Sequence, residues 1–198
     1  MQEQFTIKLF HYPVKTIFVP DDIFDNLIFK ATKEINPALY QKSYYQIYYA
    51  ISNYLQPKSI LEIGSRFGYS LIAMSKGTNI SITSIDLQSY DNPFDLSSQE
   101  IAKANLKSCC GLDGEFIVGD SRVINLNQKY DLIHIDGDHS EEVAFLDMQK
   151  FVNYLSPQGV MMVDDLDDPR VWRAWEKFKV NYRSEFIPHK HGLGLLMF

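Results

Sequence analysis

Residues 59–70 read SILEIGSRFGYS, and this stretch decides the fold class. The apolar run ILEI is typical of a short buried strand, and Gly64 and Gly68 mark a turn that opens into a helix. Glycines allow a tight turn and a close backbone approach, and the first N–H groups of the helix attract an anionic group. The spacing differs from the dinucleotide pattern G-x-G-x-x-G, because Arg66 and Phe67 replace its second glycine. A carboxylate therefore fits this turn better than a pyrophosphate.

The same alternation of apolar runs with helical periodicity continues to the end of the chain. It indicates an α/β fold, a Rossmann-like doubly wound and mainly parallel sheet of about seven strands with helices on both faces. Further strands are predicted at 80–85, 115–118, 132–135, 160–163, 185–187 and 193–198. Helices are predicted at 69–75, 97–108, 140–154 and 168–180.

The segment before the first strand of this pattern reads as an N-terminal helical cap. A helix is predicted over 21–35 and ends at Asn36-Pro37, and a second helix over 40–55 ends before Pro57. The tyrosines of the second helix fall at helical spacing, and we expect them to pack in the core or in a lid, or to stack on a substrate.

Composition limits the classes of partner. The 198 residues include 45% hydrophobic and 22% charged residues, which are globular proportions. A net charge of −6 without a basic run disfavours nucleic acid and anionic membranes, and no stretch approaches the roughly 20 apolar residues of a membrane span. Cys109 and Cys110 are adjacent, which favours a reducing, cytoplasmic location. We expect one domain over 1–198, with 1–55 as the cap and 56–198 as a cofactor-binding core.

Acidic residues occur at or just after the ends of successive predicted strands. The carboxyl ends of parallel strands meet at one edge of a sheet, where ligands bind in α/β folds. Any one of these acids can equally cap the next helix or turn, but their combined repulsion favours a shared ligand. The acids in question are Glu62, Asp86, Asp120, Asp136, Asp164 and Asp165.

Four of these positions suggest specific contacts. A carboxylate at Asp86 can accept the two hydroxyls of a ribose, and Asp120 can accept from an adenine amino group. If the strands that precede Asp136 and Asp164 are neighbours, two carboxylates face one point, where Mg²⁺ or Mn²⁺ would find the oxygen ligands it prefers. The alternative is that residues 164–168, DDLDD, form an acidic loop that only caps the next helix.

Taken together, these motifs resemble one family. The pattern E-x-G-x-x-x-G-x-S, the acid after the second strand, Gly119-Asp120, IHIDGDHSEE over 133–142 and LSPQGVMMVDDL over 155–166 resemble class I S-adenosylmethionine-dependent methyltransferases. More narrowly, they resemble the metal-dependent O-methyltransferases of the catechol type and of the macrocin type, which methylates sugars of natural products. The resemblance extends over about residues 40–198.

The resemblance implies a role for each matching residue. The methionine part of S-adenosylmethionine would be lined by Glu62, Gly64, Gly68 and Ser70. The ribose would be bound by Asp86, and the adenine by Asp120 with Ser121. The metal ligands would be Asp136, Asp164 and Asp165, with Asp136 also next to the cofactor and part of the catalytic group.

His139 occupies the position where the catechol type has its lysine general base, so the resemblance implies a catalytic His139. The alternative is a helix N-terminal or surface histidine. The sequence departs from the catechol type at this position, at Asp165, which is often Asn there, and at Arg66 in the turn. His189 and His191 read as loop polarity before the last strand, and Trp172 and Trp175 read as core or homodimer packing.

The leading hypothesis is therefore an enzyme that transfers a methyl group from S-adenosylmethionine to a hydroxyl of a small molecule, assisted by Mg²⁺ or Mn²⁺. Sugar, catechol and polyketide hydroxyls all fit as acceptors. Two alternatives remain open at this point: an NAD-dependent oxidoreductase on a similar fold, and a non-catalytic S-adenosylmethionine-binding module.

Overall fold

The apolar runs of the sequence form a seven-stranded sheet in the computed structural model, which describes residues 3–10, 12–28, 42–87 and 96–197. The strands are β1 Glu3–Ile7, β2 Lys15–Val19, β3 Ser59–Ile63, β4 Ser81–Asp86, β5 Glu115–Val118, β6 Tyr130–Ile135, β7 Leu155–Val163, β8 Arg183–Ile187 and β9 Leu193–Met197. The helices are α1 Lys42–Leu55, α2 Tyr69–Ser75, α3 Ser98–Cys110, α4 Glu141–Phe151 and α5 Pro169–Phe178. Short 3-10 turns, Val152–Tyr154 and Lys179–Asn181, extend the last two helices.

The large sheet has the strand order β5-β4-β3-β6-β7-β9-β8. Strands β3 to β7 pair in parallel, and β9 runs antiparallel to both β7 and β8. This arrangement confirms the predicted fold class. The chain reverses its direction of progress across the sheet between β3 and β6, and the crevice outside such a switch point is where α/β sheets bind ligands.

Two apolar layers cover the faces of the sheet. One contains α1 and α2 and is centred on residues such as Tyr48, Leu71 and Ile72. The other contains α4 and α5 and is centred on Phe151 and Trp175. Trp175 is fully buried, as predicted for core packing, whereas the homodimer contact remains a prediction. In the described part of the chain, no helix combines the length and apolarity needed to span a membrane.

The description of residues 1–55 as a helical cap is wrong for the first described segment. Strands β1 and β2 form an antiparallel hairpin in which Phe5 faces Ile17. Both strands are rich in β-branched residues, and their half-buried positions alternate with exposed ones, which is a strand pattern rather than a helical one. Sequence reasoning missed this hairpin and assigned the segment to a helical cap.

The helix predicted over 21–35 is wrong as far as the structure describes it. Residues 21–26 form consecutive turns, in which the N–H of Asp25 donates to the carbonyl of Asp22. Ile23 is buried and fixes this segment to the core. The rest of the predicted helix, 29–35, lies outside the described residues. The second predicted helix is confirmed as α1.

Gly64 allows the loop after β3 to approach the loop after β6. Its φ is +88°, and an added Cβ would lie 1.8 Å from the carbonyl oxygen of Asp136. Its N–H donates to the carbonyl of Ile85, so this one residue ties together the ends of three strands. Any side chain here would push these ends apart.

We therefore expect Gly64→Ala to lower the free energy of unfolding by at least about 3 kcal/mol, measured by urea denaturation. Gly77→Ala is the matched control, because Gly77 also has a positive φ (+75°) but an added Cβ there meets nothing within 4 Å. The control should cost only the roughly 1–2 kcal/mol of left-handed backbone strain. Equal losses in the two variants would contradict the steric argument.

Candidate active site

A cavity of about 750 Å³ lies at the carboxyl ends of the parallel strands. It lies beside the switch point between β3 and β6, and most of the side chains predicted from the sequence line it. The predicted residues that line it are Gly64, Ser70, Asp86, Asp120, Ser121, Asp136, His139, Asp164 and Asp165. Glu62 and Gly68 are not lining residues, and their positions are described below.

The glycine turn forms one wall of the cavity. The backbone N–H of Arg66 donates to Oδ2 of Asp86 across 2.6 Å, so the turn and the end of β4 are bound to each other. Gly68 starts α2 with a φ of +77°, and an added Cβ would lie 3.1 Å from Ala102 of α3. Gly68 thus acts by close packing behind the turn. Burial raises the pKa of Asp86 to about 6.

The loop after β5 forms the opposite end of the cavity. Both carboxylate oxygens of Asp120 accept hydrogen bonds from the guanidinium of Arg122, which lowers the pKa of Asp120 to about 2. Ser121 Oγ donates to Oδ1 of Asp147 across 2.7 Å, and Lys150 Nζ donates to the carbonyl of Ser121 across 2.6 Å. This loop is therefore anchored to α4, which carries Asp147 and Lys150.

Sequence reasoning missed Asp147. Its side chain is buried, lines the cavity, and has a pKa that burial raises. The available signal was a carboxylate on the apolar face of a predicted helix, next to Met148 and between Ala144 and Phe151.

The three predicted metal ligands fall into two groups that share Asp136, one with Asp164 and the other with Asp165. Single ligand atoms of Asp136, His139 and Asp165 lie within 4.8 Å of one another, and so do those of His134, Asp136 and Asp164. Burial, together with the carboxylates of Asp165 and Glu62, raises the pKa of Asp136 to about 8. Burial also raises the pKa of Asp164, whose Oδ2 has no hydrogen-bond partner in the described part of the chain.

These residues fit a divalent cation. A positive charge between them would relieve the repulsion among the carboxylates and would give the buried Oδ2 of Asp164 a partner. Carboxylate oxygens suit Mg²⁺ and Mn²⁺, and the imidazoles in both groups add nitrogen donors that later first-row ions prefer.

Two histidines bind Asp165 from different sides. His139 Nε2 lies 2.9 Å from Oδ2 of Asp165, and this hydrogen bond raises the pKa of His139. His191 Nδ1 lies 3.5 Å from Oδ1 of the same carboxylate and 3.7 Å from Asp167. The interpretation of His191 as loop polarity is incomplete, because its ring lines the cavity. Backbone bonds from Leu166 and Asp167 to the 191–192 loop hold it there.

Glu62 lies behind the cavity wall, fully buried against a second buried residue. Its Oε1 accepts from Nδ1 of His134 across 2.8 Å. Among the residues that the structure describes, neither the second oxygen of Glu62 nor Nε2 of His134 has a hydrogen-bond partner. Sequence reasoning missed His134 because it lies inside an apolar strand, where it reads as part of the core.

Two tyrosines of α1 form the aromatic wall of the cavity. Tyr44 and Tyr45 line it, and the Tyr44 ring packs edge-on against both His189 (5.0 Å) and His191 (5.3 Å). Tyr48 Oη donates to Tyr44 Oη across 2.6 Å. The lining and packing roles expected for these tyrosines are thus combined in one helix.

Solved structures with a similar fold include three methyltransferases. An O-methyltransferase of Bacillus cereus in complex with SAH has a TM-score of 0.63 and 16% identity, and the match covers 79% of this chain and 81% of that chain. An SAH-bound methyltransferase of Podospora anserina has a TM-score of 0.66 and 19% identity, and the match covers 90% of this chain and 88% of that chain. TomG of Streptomyces achromogenes, an O-methyltransferase in complex with SAM, has a TM-score of 0.57 and 16% identity, and the match covers 76% of this chain and 77% of that chain. These likenesses confirm the Rossmann-like fold of class I methyltransferases.

A search of curated proteins finds an uncharacterized protein of Sinorhizobium fredii, 24% identical over 169 residues. The match covers 72% of this chain and only 17% of that protein, so the chain spans about a sixth of the length of this relative. A family model described as a methyltransferase domain matches residues 61–166, from β3 through the acids after β7. Because this match includes more than half of the chain and the strand ends that surround the cavity, the chain belongs to this methyltransferase-domain family.

Proposed function

We propose that the chain is an S-adenosylmethionine-dependent O-methyltransferase that acts on a hydroxyl group of a small molecule and is assisted by a divalent cation. The observation that carries this proposal is the convergence of the glycine turn, Asp86 and the Asp136 and Asp165 carboxylates on one cavity. Membership in the methyltransferase family supports the methyl transfer, and the acids support the cation.

We assign the parts of the cofactor to residues around the cavity. We assign the methionine part to the turn of Gly64 and to Ser70, with Gly68 and Glu62 as support from behind, and the ribose to Asp86. The adenine is assigned to the loop of Asp120 and Ser121. Because Arg122 occupies both oxygens of Asp120, contact with the adenine amino group requires the carboxylate to share its lone pairs or the arginine to move.

The cation is assigned to Asp136, Asp164 and Asp165. When bound, Mg²⁺ or Mn²⁺ would lower the pKa of an acceptor hydroxyl and hold its oxygen in line for transfer.

The reaction requires alignment and removal of one proton. Transfer breaks the bond between the sulfonium sulfur and the methyl carbon, forms a bond from that carbon to the acceptor oxygen, and leaves S-adenosylhomocysteine and a methyl ether. His139 accepts the hydroxyl proton, and its 42% exposed side chain can release that proton to water. Asp165 orients the imidazole through its hydrogen bond. Tyr44 and Tyr45 shield the reacting groups from water.

We further propose a cytoplasmic location, because Cys109 and Cys110 are both free thiols.

Cofactor binding tests the proposal first. Isothermal titration should show binding of S-adenosylhomocysteine and none of NAD. Since the pKa of Asp86 is about 6, the affinity should fall as the pH decreases through 6, where the carboxylate that accepts the ribose hydroxyls becomes protonated. Asp86→Asn should bind about 10- to 100-fold more weakly and lose this pH dependence.

Asp113→Asn is the matched control, because Asp113 is an exposed carboxylate paired only with Lys107 on the surface. It should bind like the unmodified protein. Unchanged binding in Asp86→Asn, or binding of NAD in place of S-adenosylhomocysteine, would refute the cofactor assignment.

Asp136→Asn should abolish cation-stimulated transfer. The assay measures release of S-adenosylhomocysteine with sugar, catechol and polyketide acceptors, with Mg²⁺ or Mn²⁺ and with a chelator. Cofactor affinity should stay within a few-fold, since the ribose contact is at Asp86. Activity that is indifferent to both the chelator and the substitution would eliminate the cation.

His139→Ala should reduce kcat by about 10²–10⁴-fold and leave the affinity for S-adenosylhomocysteine nearly unchanged. His189→Ala serves as the comparison, because His189 packs against Tyr44 and forms no ion pair with Asp165 in the described structure. A His139→Ala variant with normal turnover would remove this histidine from the mechanism.

A further inference from the structure

We infer that His134, held by Glu62, is a nitrogen ligand of the cation beneath Asp136 and Asp164. This inference rests on the proposed cation and adds a ligand from the interior of strand β6. Its basis is a group of three side chains, His134, Asp136 and Asp164, each of which offers a ligand atom within 4.8 Å of the others. Among the described residues, Nε2 of His134 and Oδ2 of Asp164 also have no hydrogen-bond partner.

The sheet itself brings these groups together. Glu62 and His134 are paired residues of the neighbouring strands β3 and β6, so their side chains lie on the same face. Asp136 follows His134 by two positions and is directed to that face as well. Asp164 joins them at the end of β7, where its N–H donates to the carbonyl of Ile135.

The hydrogen bond between His134 and Glu62 uses one ring nitrogen and leaves the other, Nε2, to bind a cation. Nδ1 carries a hydrogen that it donates to Glu62, so in the neutral ring Nε2 is an acceptor. Oδ2 of Asp164 and a carboxylate oxygen of Asp136 are the oxygen ligands that the same group offers to a cation. A cation satisfies all three acceptors at once.

The geometry agrees with coordination. Ligand atoms bound at about 2.1 Å in an octahedron lie roughly 3.0–4.2 Å apart. The atoms of His134, Asp136 and Asp164 all lie within 4.8 Å of one another. Metal-binding histidines commonly donate their other ring N–H to a carboxylate, which fixes the tautomer and raises the basicity of the ligand nitrogen, and Glu62 occupies that position here.

A nitrogen ligand changes the preferred ion. Imidazole favours later first-row ions such as Co²⁺ over Mg²⁺. We therefore expect Co²⁺ to bind at least tenfold more tightly than Mg²⁺, and to displace it in competition.

Pulsed electron paramagnetic resonance of the Mn²⁺-loaded protein tests the inference directly, because modulation from a coordinated ¹⁴N is visible without turnover. Two other histidines, His139 and His191, also lie in acidic groups. The decisive sample is the double variant His139→Ala/His191→Ala, which keeps His134 and changes only partly exposed side chains. Its nitrogen modulation should match that of the unmodified protein, and ¹⁵N-histidine labelling should change the modulation frequency.

His134→Gln should lose the modulation and bind Mn²⁺ at least tenfold more weakly, with folding checked by circular dichroism. If the His134→Gln variant does not fold, the nitrogen modulation of the His139→Ala/His191→Ala variant still shows whether His134 is a ligand. Nitrogen modulation that is absent from the unmodified protein, or lost in the double variant, overturns the role of His134. Mn²⁺ that binds without nitrogen modulation leaves the proposed methyl transfer intact, whereas failure to bind S-adenosylhomocysteine would refute that transfer separately.

Discussion

Repulsion among the carboxylates at the edge of the parallel sheet is the constraint on which the site depends. Asp136, Asp164 and Asp165 lie together in a region from which water is partly excluded, and burial, followed by the charges of Asp165 and Glu62, raises the pKa of Asp136. The protein surrounds these acids with three imidazoles, from His134 below and from His139 and His191 beside them. Each imidazole comes from a different part of the fold, namely strand β6, the loop that follows it, and the loop before β9.

Most of the fold follows from local pattern. The strands and helices from α1 to β9 were predicted from their periodicity, and their ends differ from the predicted ones by at most five residues. The N-terminal hairpin was missed although its strands are as short as β8 and β1 has the same burial pattern as β8, which was predicted. In β8 the prediction had the alternation of strands and helices before it as context, which the N-terminal segment lacks.

The site residues also include some that the sequence predicts and some that it does not. Acids such as Asp86 and Asp136 were predictable because parallel strands place their ends at one edge. His191 was not, because its position depends on the antiparallel return of β9, which brings residue 191 beside residue 165. Asp147 and His134 were hidden by helical and strand patterns in which a single polar residue reads as an interruption of the core. Their roles depend on partners 26 and 72 residues away in sequence.

Helix α4 connects the two ends of the cavity. It begins directly after His139 and carries Asp147 and Lys150, which hold the loop of Ser121. Because the same 11-residue helix anchors the loop of Ser121 and follows the loop of His139, it sets the distance between the two ends of the cavity.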